Sequence, residues 1–374
     1  MSSVGAIYSG DLAEYQSTDA VRALADSSVA GSVTVACLGH LRSLRPTHGS
    51  PNLSVLLSTI IPRFVHLHYM RVHLHEGYSQ DQQGDTRIPP ELPSTDTSIE
   101  SKCRFLYVSG AKMLSISALL KHMPALVELS LHRTQDDDWP GRPRAEVPHL
   151  PKLQRLQLLQ PSDTSGGMIL EAVVRACVNT LRRLSIPANT PNIATLLSTA
   201  NSNQITDLVL DFHPRGRFNT RKEEIVVISC EIIRACSRLR HLALMSVRAG
   251  AGLGRLLGAV QHPLASLDVL YSPTVLLDMI LVPLVTAIQD IDGNPHYALA
   301  RLQVLAVNMQ GGPDTKLKLA CANRRICLIQ YQGFGPLLPQ DPPKYISAGN
   351  TCPGSNRFST SIFESKTELL HCKS

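Results

Sequence analysis

The chain has 374 residues, of which 43% are hydrophobic but only 5% are aromatic. This length and composition predict a folded protein with an aliphatic core, built either as several domains or as one long repeat array. The net charge of +6 comes from 36 basic and 30 acidic residues that are spread along the chain. Nucleic-acid binding is not expected, because it requires a basic face or a basic run.

Cysteine usage predicts a reducing compartment. The nine cysteines are an odd number and no two form a C-x-x-C motif, so neither a disulfide framework nor a zinc ribbon is expected. Cys177, Cys230 and Cys236 occupy apolar positions of helical patterns, as buried reduced thiols do. Residues 1–19 lack the basic region and apolar core of a signal peptide. The expected location is therefore the cytoplasm or the nucleus.

No membrane association is expected. The most apolar stretch, residues 275–288, is too short to span a bilayer and contains Asp278 and Pro283. It is predicted to be a buried helix. The terminal Cys372-Lys373-Ser374 lacks the four-residue form of a prenylation box, so no lipid attachment is implied.

Three regions are expected in chain order. Residues 1–37 are predicted to form an N-terminal helical cap segment, residues 38–332 a repeat solenoid, and residues 333–374 a weakly ordered tail. Within the solenoid, residues 76–102 are polar and rich in proline, serine and threonine. Such a composition is typical of a loop that projects from the fold.

The middle region is organised by a recurring L-x-x-L-x-L triplet. The well-formed copies are Leu126-Leu129-Leu131, Leu153-Leu156-Leu158, Leu181-Leu184-Ile186, Ile205-Leu208-Leu210, Leu239-Leu242-Leu244, Leu264-Leu267-Val269 and Leu302-Leu305-Val307. Weaker copies are Phe64-Leu67-Tyr69 and Cys103-Leu106-Val108. From Leu126 to Leu239 the copies start 27, 28, 24 and 34 residues apart. Leucine-rich repeats run about 20 to 29 residues, so the longer intervals require insertions.

A helical segment precedes several triplets. Residues 118–123, 172–177 and 231–236 each end in a basic residue followed two positions later by methionine or cysteine. The triplet that comes next alternates as a short strand does. The repeating unit is therefore helix, loop and strand. This pattern predicts an α/β leucine-rich-repeat solenoid with a curved parallel sheet on its concave face.

The R-x-C helix ends at Arg175-Ala176-Cys177 and Arg234-Ala235-Cys236, placed ahead of the triplets, carry a family resemblance. Residues 38–330 resemble the leucine-rich-repeat region of fungal F-box-type proteins, which have irregular ribonuclease-inhibitor-like repeats. The resemblance implies substrate recognition for a cullin ubiquitin ligase. The partners that it implies are a protein on the concave face and a cullin-ligase adaptor.

The chain departs from that family pattern in two ways. The asparagine or cysteine that usually follows three residues after the last leucine occurs once, as Asn189. No F-box is recognisable, and its one echo is the proline-rich stretch at residues 88–93. The polar residues 94–98 that follow cannot supply the apolar helix of an F-box. The second departure weakens the implied link to the ligase and leaves the implied recognition role standing.

Two histidine pairs raise metal binding as an alternative. His66 with His68, and His73 with His75, have the H-x-H spacing that puts two imidazoles on one face of a strand. The two pairs differ in parity, so on one continuous strand they would point to opposite faces. Exposed histidines on a repeat strand are the simpler interpretation, and no metal is expected.

The glycine-rich residues 250–254 raise nucleotide binding as a second alternative. They follow a strand pattern and precede an apolar helix, and Asp268 lies 18 residues after Gly250. A dinucleotide fold places an acidic residue near that distance. However, the spacing is G-x-G-x-G, and strand, loop, helix and strand is also the ordinary repeat unit. No P-loop or nucleophile motif is present, so neither a cofactor nor enzymatic activity is expected.

The outward positions of the strands define a candidate binding surface. Side chains alternate along a strand, so the residues on either side of the middle apolar residue point away from the core. In the first weak copy this rule selects His66 and His68. Elsewhere it selects the partner-binding candidates Phe105, Tyr107, Glu128, Arg155, Gln157, Arg183, Asp207 and His241. A shift of one residue in register would exchange the whole set for core-facing residues.

The sequence therefore predicts a non-enzymatic protein-interaction module, with substrate recognition for a ubiquitin ligase as the role that the resemblance implies. One alternative is a nucleotide- or metal-binding enzyme built on residues 250–254 or on the histidine pairs. Another is a plain repeat scaffold with no link to ubiquitin.

Overall fold

The chain divides into two compact units, residues 1–180 (unit 1) and residues 181–374 (unit 2). The computed structural model describes residues 35–42, 66–75, 101–110, 113–132, 134, 147–159, 166–190, 192–199, 204–212, 222–247, 252–271, 278–289, 296–308, 315–331 and 345–346.

Unit 1 is built on five parallel strands that pair in chain order. They are β1 (Val35–Arg42), β2 (Tyr69–His75), β3 (Phe105–Ser109), β4 (Glu128–His132) and β5 (Arg155–Leu159). Helix α1 (Met113–Leu120) connects β3 to β4, and helix α2 (Gly166–Cys177) follows β5. Parallel strands need such crossover connections, because a tight turn can join only antiparallel neighbours.

Unit 2 alternates strands and helices more regularly. Its strands are β6 (Arg183–Pro187), β7 (Asp207–Asp211), β8 (His241–Val247), β9 (Ser266–Tyr271), β10 (Val304–Asn308), β11 (Cys327–Tyr331) and β12 (Tyr345–Ile346). Its helices are α3 (Ile193–Thr199), α4 (Lys222–Ala235), α5 (Leu253–Gly258), α6 (Asp278–Ile288), the 3-10 helix Tyr297–Leu299 and α7 (Thr315–Asn323). Strands β6 to β11 pair in parallel in chain order, and β12 pairs antiparallel with β11.

Most parallel strands begin where two successive N–H groups donate to one carbonyl, that of the residue just before the neighbouring strand. In unit 1, the Val127 carbonyl accepts hydrogen bonds from the N–H groups of Gln154 and Arg155, at 2.9 and 3.0 Å. In unit 2, the Thr206 carbonyl accepts from the N–H groups of Arg240 and His241 at the same two distances. These bonds fix the register of neighbouring strands, and with it the face on which every side chain lies.

The apolar triplets form the core. Every residue of the seven well-formed triplets is buried, and the middle residues Leu129, Leu208 and Leu242 have no exposed surface. Burying one leucine side chain stabilises a fold by about 1.5 to 3 kcal/mol, so each repeat depends mainly on its triplet. Parallel strands, alternating helices and buried triplets confirm the predicted α/β leucine-rich-repeat fold in both units.

Helix α4 illustrates why the helical segments form where they do. Glu223 and Glu224 lie in its first turn and Arg234 in its last turn, so side-chain charge complements the helix dipole at both ends. Ile232 and Ile233 are buried towards its C-terminal end. The exposed charges and the buried isoleucines give the helix a polar face and an apolar face that packs on the core.

The first weak triplet is assigned differently by the structure. Strand β2 begins at Tyr69, which pairs with Phe105. The carbonyl of His68 accepts the N–H groups of Arg104 and Phe105, so His68 lies just before the strand. The prediction based on Phe64-Leu67-Tyr69 is therefore wrong by three residues, and the buried triplet is Leu67-Met70-Val72. His66 and His68 are replaced as outward residues by Tyr69 and Arg71.

The predicted helix at residues 275–288 is present as α6, but it is not buried all round. Leu284 and Ile288 face the core, whereas 62% of Val282 is exposed. Pro283 lies inside this helix. The prediction of a helix is confirmed, and the prediction that it is buried holds for one face only.

Other predicted segments fall largely outside the described residues. In the predicted cap segment, residues 1–34 lie outside them and residues 35–37 belong to β1. In the predicted projecting loop, residues 76–100 lie outside them. In the predicted tail, only residues 345–346 are described, and they form β12.

Candidate protein-interaction surface

The outward residues of β2 to β5 form a continuous surface in unit 1, which we call the unit 1 face. Strand register places these residues in two rows, one formed by Tyr69, Phe105, Glu128 and Arg155 and the other by Arg71, Tyr107, Ser130 and Gln157. The side chains are half-buried except for Ser130, which is buried. Ser109 and His132 occupy the next outward position of their strands, two residues after Tyr107 and Ser130.

Aromatic and basic side chains contact one another on this face. The guanidinium carbon of Arg71 lies 5.1 Å from the centroid of the Tyr107 ring, which is the distance of a cation–π contact. The rings of Tyr107 and His132 lie 6.3 Å apart between centroids. His132 in turn is held through its Nδ1 atom, 3.0 Å from the Ser109 hydroxyl. These contacts restrict the side chains to defined positions without covering them.

A charged pair lies beside the aromatic residues. Arg155 donates a hydrogen bond from Nη1 to Oε2 of Glu128 at 3.2 Å, and the two side chains are 42% and 22% exposed. At this exposure the ion pair contributes little to stability, because water screens it. Next to it, the Ser130 hydroxyl donates to Oε1 of Gln157 at 3.4 Å. The ion pair between Glu128 and Arg155 therefore presents both a negative and a positive charge to a binding partner in fixed positions.

The outward residues of β6 to β11 form the unit 2 face, which has a different composition. One row consists of Arg183, Asp207, His241, Ser266, Val304 and Cys327, and the next of Ser185, Val209, Ala243, Asp268, Ala306 and Ile329. Most of the second row is small or apolar. Val209, Ala243 and Ala306 are buried although they point outward.

Three side chains of the first row have the identities of a nucleophilic triad. His241 Nδ1 lies 2.9 Å from the Ser266 hydroxyl, and Asp207 pairs in register with His241. Burial lowers the pKa of His241, and the charge of Asp207 opposes part of that shift. Only 3% of Ser266 is exposed, so its hydroxyl is closed to a substrate. The arrangement is better suited to fixing the imidazole than to catalysis.

Asp268 is the one acidic residue of the second row. It lies on β9 level with Ala243 on β8 and Ala306 on β10. Burial raises the pKa of its carboxyl group to about 7, and the positive charge of Arg183 opposes part of this shift. Among the described residues, no hydrogen bond or ion pair is made by the Asp268 side chain.

The sequence-based candidates divide between the two faces. Phe105, Tyr107, Glu128, Arg155 and Gln157 lie together on the unit 1 face, and Arg183, Asp207 and His241 lie on the unit 2 face.

Two features were missed by the sequence reading. Tyr69 and Arg71 belong to the unit 1 face, and the overlapping triplet Leu67-Met70-Val72 was the signal that could have found them. The position of Asp268 between two alanines carried no local signal, because it depends on the pairing of three strands.

The glycine-rich segment and the histidine pairs, which suggested nucleotide binding and metal binding, each have a structural explanation. A Cβ atom on Gly252 would lie 2.9 Å from Cγ2 of Val226, so this glycine permits the close approach of α5 and α4. Residues 250–251 lie outside the described part of the chain. His66 and His68 precede β2, whereas His73 and His75 lie within it. Within the described ranges, no group of three or more metal-binding side chains is present.

Five of the described thiols are buried, whereas Cys327 is half-buried. Burial of Cys177, Cys230 and Cys236, predicted from their helical positions, is confirmed. Burial raises the pKa of Cys177 and Cys236 to about 12, and burial likewise raises the pKa of Cys230. At neutral pH such thiols carry almost no thiolate, which is the nucleophilic form. Among the cysteines that the structure describes, none forms a disulfide.

No family model and no curated protein matches the sequence. Among solved structures, the TLR13–ssRNA13 complex aligns with a TM-score of 0.40 and 12% identity. That alignment covers 81% of this chain and 36% of the TLR13 chain, so this chain spans about a third of the length of that structure. None of the helices described here is long and apolar enough to cross a membrane.

Proposed function

We propose that the chain is a non-catalytic protein-interaction module whose unit 1 face recognises a protein partner. The observation that carries this proposal is the concentration of aromatic and arginine side chains on four adjacent parallel strands. At its centre, the Arg71 guanidinium lies 5.1 Å from the Tyr107 ring centroid. Tyrosine and arginine are the residue types that most often dominate the energetics of protein interfaces.

The contacts within this face lower the entropy that binding would cost. Tyr107 and Arg71 are held by each other, and Arg155 is held by Glu128. A side chain that is already ordered loses less rotamer freedom when a partner covers it. Because these side chains stand on strands rather than on loops, their spacing is also fixed by the backbone. The face is therefore pre-organised for a partner of complementary shape.

The first experiment is affinity purification of the tagged full chain from its own cells, with two variants of the unit 1 face. Tyr107→Ala removes the central ring, and Arg155→Glu reverses a charge beside it. The matched control is Arg175→Glu, which reverses an exposed charge on helix α2 of the same unit. Proteins captured by the unmodified chain and by the control, but lost from both face variants, identify partners of this surface.

The outcome is quantitative once a partner is purified. Tyr107→Ala is expected to raise the dissociation constant of the complex by about tenfold or more. This corresponds to a loss of at least about 1.4 kcal/mol of binding free energy, as expected for an interface hot spot. The control variant is expected to bind within a factor of two. Equal capture by all variants would exclude the unit 1 face as the binding surface.

The candidates on the unit 2 face require a separate variant. Arg183, Asp207 and His241 are proposed to contact the same partner or another protein. Arg183→Glu tests them, because it replaces a cation with a carboxylate next to Asp207 and reverses the local potential. Unchanged capture by this variant would restrict the partner-binding role to the unit 1 face.

We further propose that the recognised protein is presented to a cullin ubiquitin ligase. Support comes from the resemblance to F-box-type repeat regions, in the R-x-C helix ends at Arg175-Ala176-Cys177 and Arg234-Ala235-Cys236. The expected location is then the cytoplasm or the nucleus. The same purification tests this role, because the cullin-ligase adaptor should co-purify with the unmodified chain. Partners captured without the adaptor would remove the ligase role and leave a repeat scaffold.

A further inference from the structure

The edge of the unit 2 sheet at which its strands begin carries a row of basic side chains. The turns that lead into β6, β8, β10 and β11 contain six arginines, Arg182, Arg238, Arg240, Arg301, Arg324 and Arg325. Arg324 is half-buried and the other five are exposed. The described residues that lead into β6 to β11 include no aspartate or glutamate. We call this row the arginine edge.

Strand pairing brings these arginines together from distant parts of the sequence. The carbonyl of Arg182 accepts the N–H group of Thr206 at 2.9 Å, and the carbonyl of Thr206 accepts that of Arg240 at 2.9 Å. Arg324 donates from Nη2 to the carbonyl of Ala300 at 3.4 Å, which joins the turns before β10 and β11. Since neighbouring strands lie about 4.8 Å apart, the edge from β6 to β11 spans about 24 Å.

The positive charges of this edge are not neutralised by the described residues. No ion pair with another described residue is formed by Arg182, Arg238, Arg240, Arg301 or Arg325. A row of like charges at this spacing creates a positive potential that attracts an anionic ligand. The edge is therefore electrostatically complementary to a negatively charged, elongated partner.

The backbone at Arg325 supplies a second, independent observation. This residue follows helix α7 with a φ of 57°, in the left-handed region. The N–H groups of Ile326 and Arg325 donate to the carbonyls of Cys321 and Ala322, at 2.8 and 3.0 Å. Glycine usually occupies this helix-ending position, because it has no Cβ atom to strain the backbone. A strained position whose exposed guanidinium group forms no ion pair with the described residues points to a binding role.

We propose that the arginine edge binds an extended acidic segment of a protein partner. Guanidinium groups pair with glutamate or aspartate carboxylates through two parallel hydrogen bonds. An extended segment of about seven residues covers the length of the edge. The inference adds a second surface and a stated partner chemistry to the proposed interaction function. It does not depend on any residue of the unit 1 face.

The side chains between the arginines favour a protein segment over a nucleic acid. Thr206 and Gln303 lie in the same row and offer neutral hydrogen-bonding groups to a peptide main chain. The described residues of this edge include one aromatic side chain, Tyr297, which is 58% exposed and donates to the carbonyl of Gln261 at 3.3 Å. Proteins that bind single-stranded nucleic acids stack successive bases on several aromatic side chains.

The test measures binding of three fluorescent probes to the full chain by anisotropy, at low salt and neutral pH. The probes are a peptide of alternating glutamate and serine, its counterpart with glutamine in place of glutamate, and a thymidine oligonucleotide with the same number of charges as the first peptide. We expect saturable binding of the glutamate peptide and at least about tenfold weaker binding of the glutamine peptide. The oligonucleotide is expected to bind more weakly than the glutamate peptide.

Neutral variants assign the binding to the edge. Arg240→Gln and Arg301→Gln are each expected to weaken the glutamate peptide about threefold or more, and together at least about tenfold. The matched control is Arg255→Gln, which removes an exposed arginine from α5 of the same unit and should bind within a factor of two. In about 1 M salt the binding should be lost, since the Debye length shortens to roughly 3 Å.

Arg325→Gly separates a binding role from a structural one. Glycine relieves the left-handed backbone, so the midpoint of urea unfolding should rise or stay unchanged. Binding of the glutamate peptide should nevertheless weaken about threefold, because a cation is lost. A purely structural role for Arg325 would leave the affinity for the peptide unchanged.

Several results would overturn the proposal. These are equal binding of the glutamine peptide, absence of saturable binding, or unchanged binding by the combined Arg240→Gln and Arg301→Gln variant. If the oligonucleotide binds as tightly as the glutamate peptide or more tightly, the edge is not specific for an acidic protein segment, and the proposal also fails. The capture experiments with Tyr107→Ala and Arg155→Glu use another unit, so the two proposals fail independently.

Discussion

The two faces differ in how their polar groups are satisfied. On the unit 1 face, Arg71 contacts Tyr107 and Glu128 contacts Arg155, so cations and their partners lie within the same surface. On the unit 2 face, small apolar residues surround Asp268, which makes no hydrogen bond or ion pair with the described residues. The first face offers ordered aromatic and charged side chains, and the second contains a buried carboxyl group among small apolar side chains.

This difference arises on the same backbone. In both units the repeat strands are parallel, most inward positions hold leucine or a similar residue, and most of these strands start at a shared carbonyl. Only the outward positions change. A repeat architecture therefore separates the residues that determine the fold from those that determine binding chemistry, because alternation assigns them to opposite sides of one strand.

The largest expected effect concerns the shared core rather than the faces. Leu129→Ala in unit 1 and Leu242→Ala in unit 2 each remove a side chain with no exposed surface. Each variant is expected to lose about 2 to 5 kcal/mol of unfolding free energy in urea, because a cavity replaces a packed side chain. The exposed substitutions Arg175→Ala and Glu224→Ala serve as controls. If the leucine variant of one unit lost less unfolding free energy than the control variants, the triplet of that unit would not form part of the core.

The next largest effect is a pH dependence specific to the unit 2 face. The pKa of Asp268 is about 7 in the folded chain, above the value of about 3.9 expected when unfolded. Between these values the folded chain holds a proton that the unfolded chain has lost, so stability falls as pH rises. From pH 5 to pH 8 this loss is about 2 to 3 kcal/mol, and Asp268→Asn should remove it.

Urea unfolding at several pH values measures this slope. Asp211→Asn on the same face is the control and should keep the slope of the unmodified chain. Identical slopes in all three proteins would mean that the Asp268 carboxyl group is compensated in solution, and the contrast between the two faces would then disappear.

A smaller effect is expected from the central contact of the unit 1 face. A double-mutant cycle with Arg71→Gln and Tyr107→Leu should give a coupling of about 0.5 to 1 kcal/mol, as for a partly exposed cation–π pair. The comparison cycle combines Arg71→Gln with Gln157→Ala, which lies three strands away in register. Additivity in the first cycle would show that the two side chains do not order each other.

The smallest effect is expected for the ion pair between Glu128 and Arg155. A cycle with Glu128→Gln and Arg155→Gln should give about 0.2 to 1 kcal/mol at low salt, because both side chains are partly exposed. In about 1 M salt the coupling should fall towards zero, since the Debye length shortens to roughly 3 Å. If the coupling energy persists in high salt, the ion pair is less accessible to water than the exposed fractions of its two side chains indicate.

The inward residues were predictable from the sequence because their signal is local. Each triplet repeats the same spacing, and alternation then assigns outward residues such as Tyr107 and Arg155 to the correct side. The first repeat was misassigned because Phe64-Leu67-Tyr69 and Leu67-Met70-Val72 overlap and both satisfy the pattern. Pairing of Tyr69 with Phe105 selects the second triplet, and such pairing is a long-range property.

The chemistry of the faces was less predictable than the strands. Asp268 was recognisable as an outward residue, but its isolation depends on Ala243 and Ala306, which are 25 residues before it and 38 residues after it. The strand β11 was also missed, because Arg325 and Gln330 occupy positions where the preceding repeat has Leu302 and Val307. Cross-strand neighbours cannot be read from spacing alone.

The buried cysteines make the chain its own reporter of local opening. Cys103 belongs to unit 1, and Cys236 and Cys321 belong to different repeats of unit 2. Their pKa values of about 12 and their burial mean that an alkylating reagent can modify each thiol only after its surroundings open. In a repeat protein each segment is stabilised mainly by its neighbours. Labelling rates at the three sites would therefore reveal whether the repeats open one at a time or together.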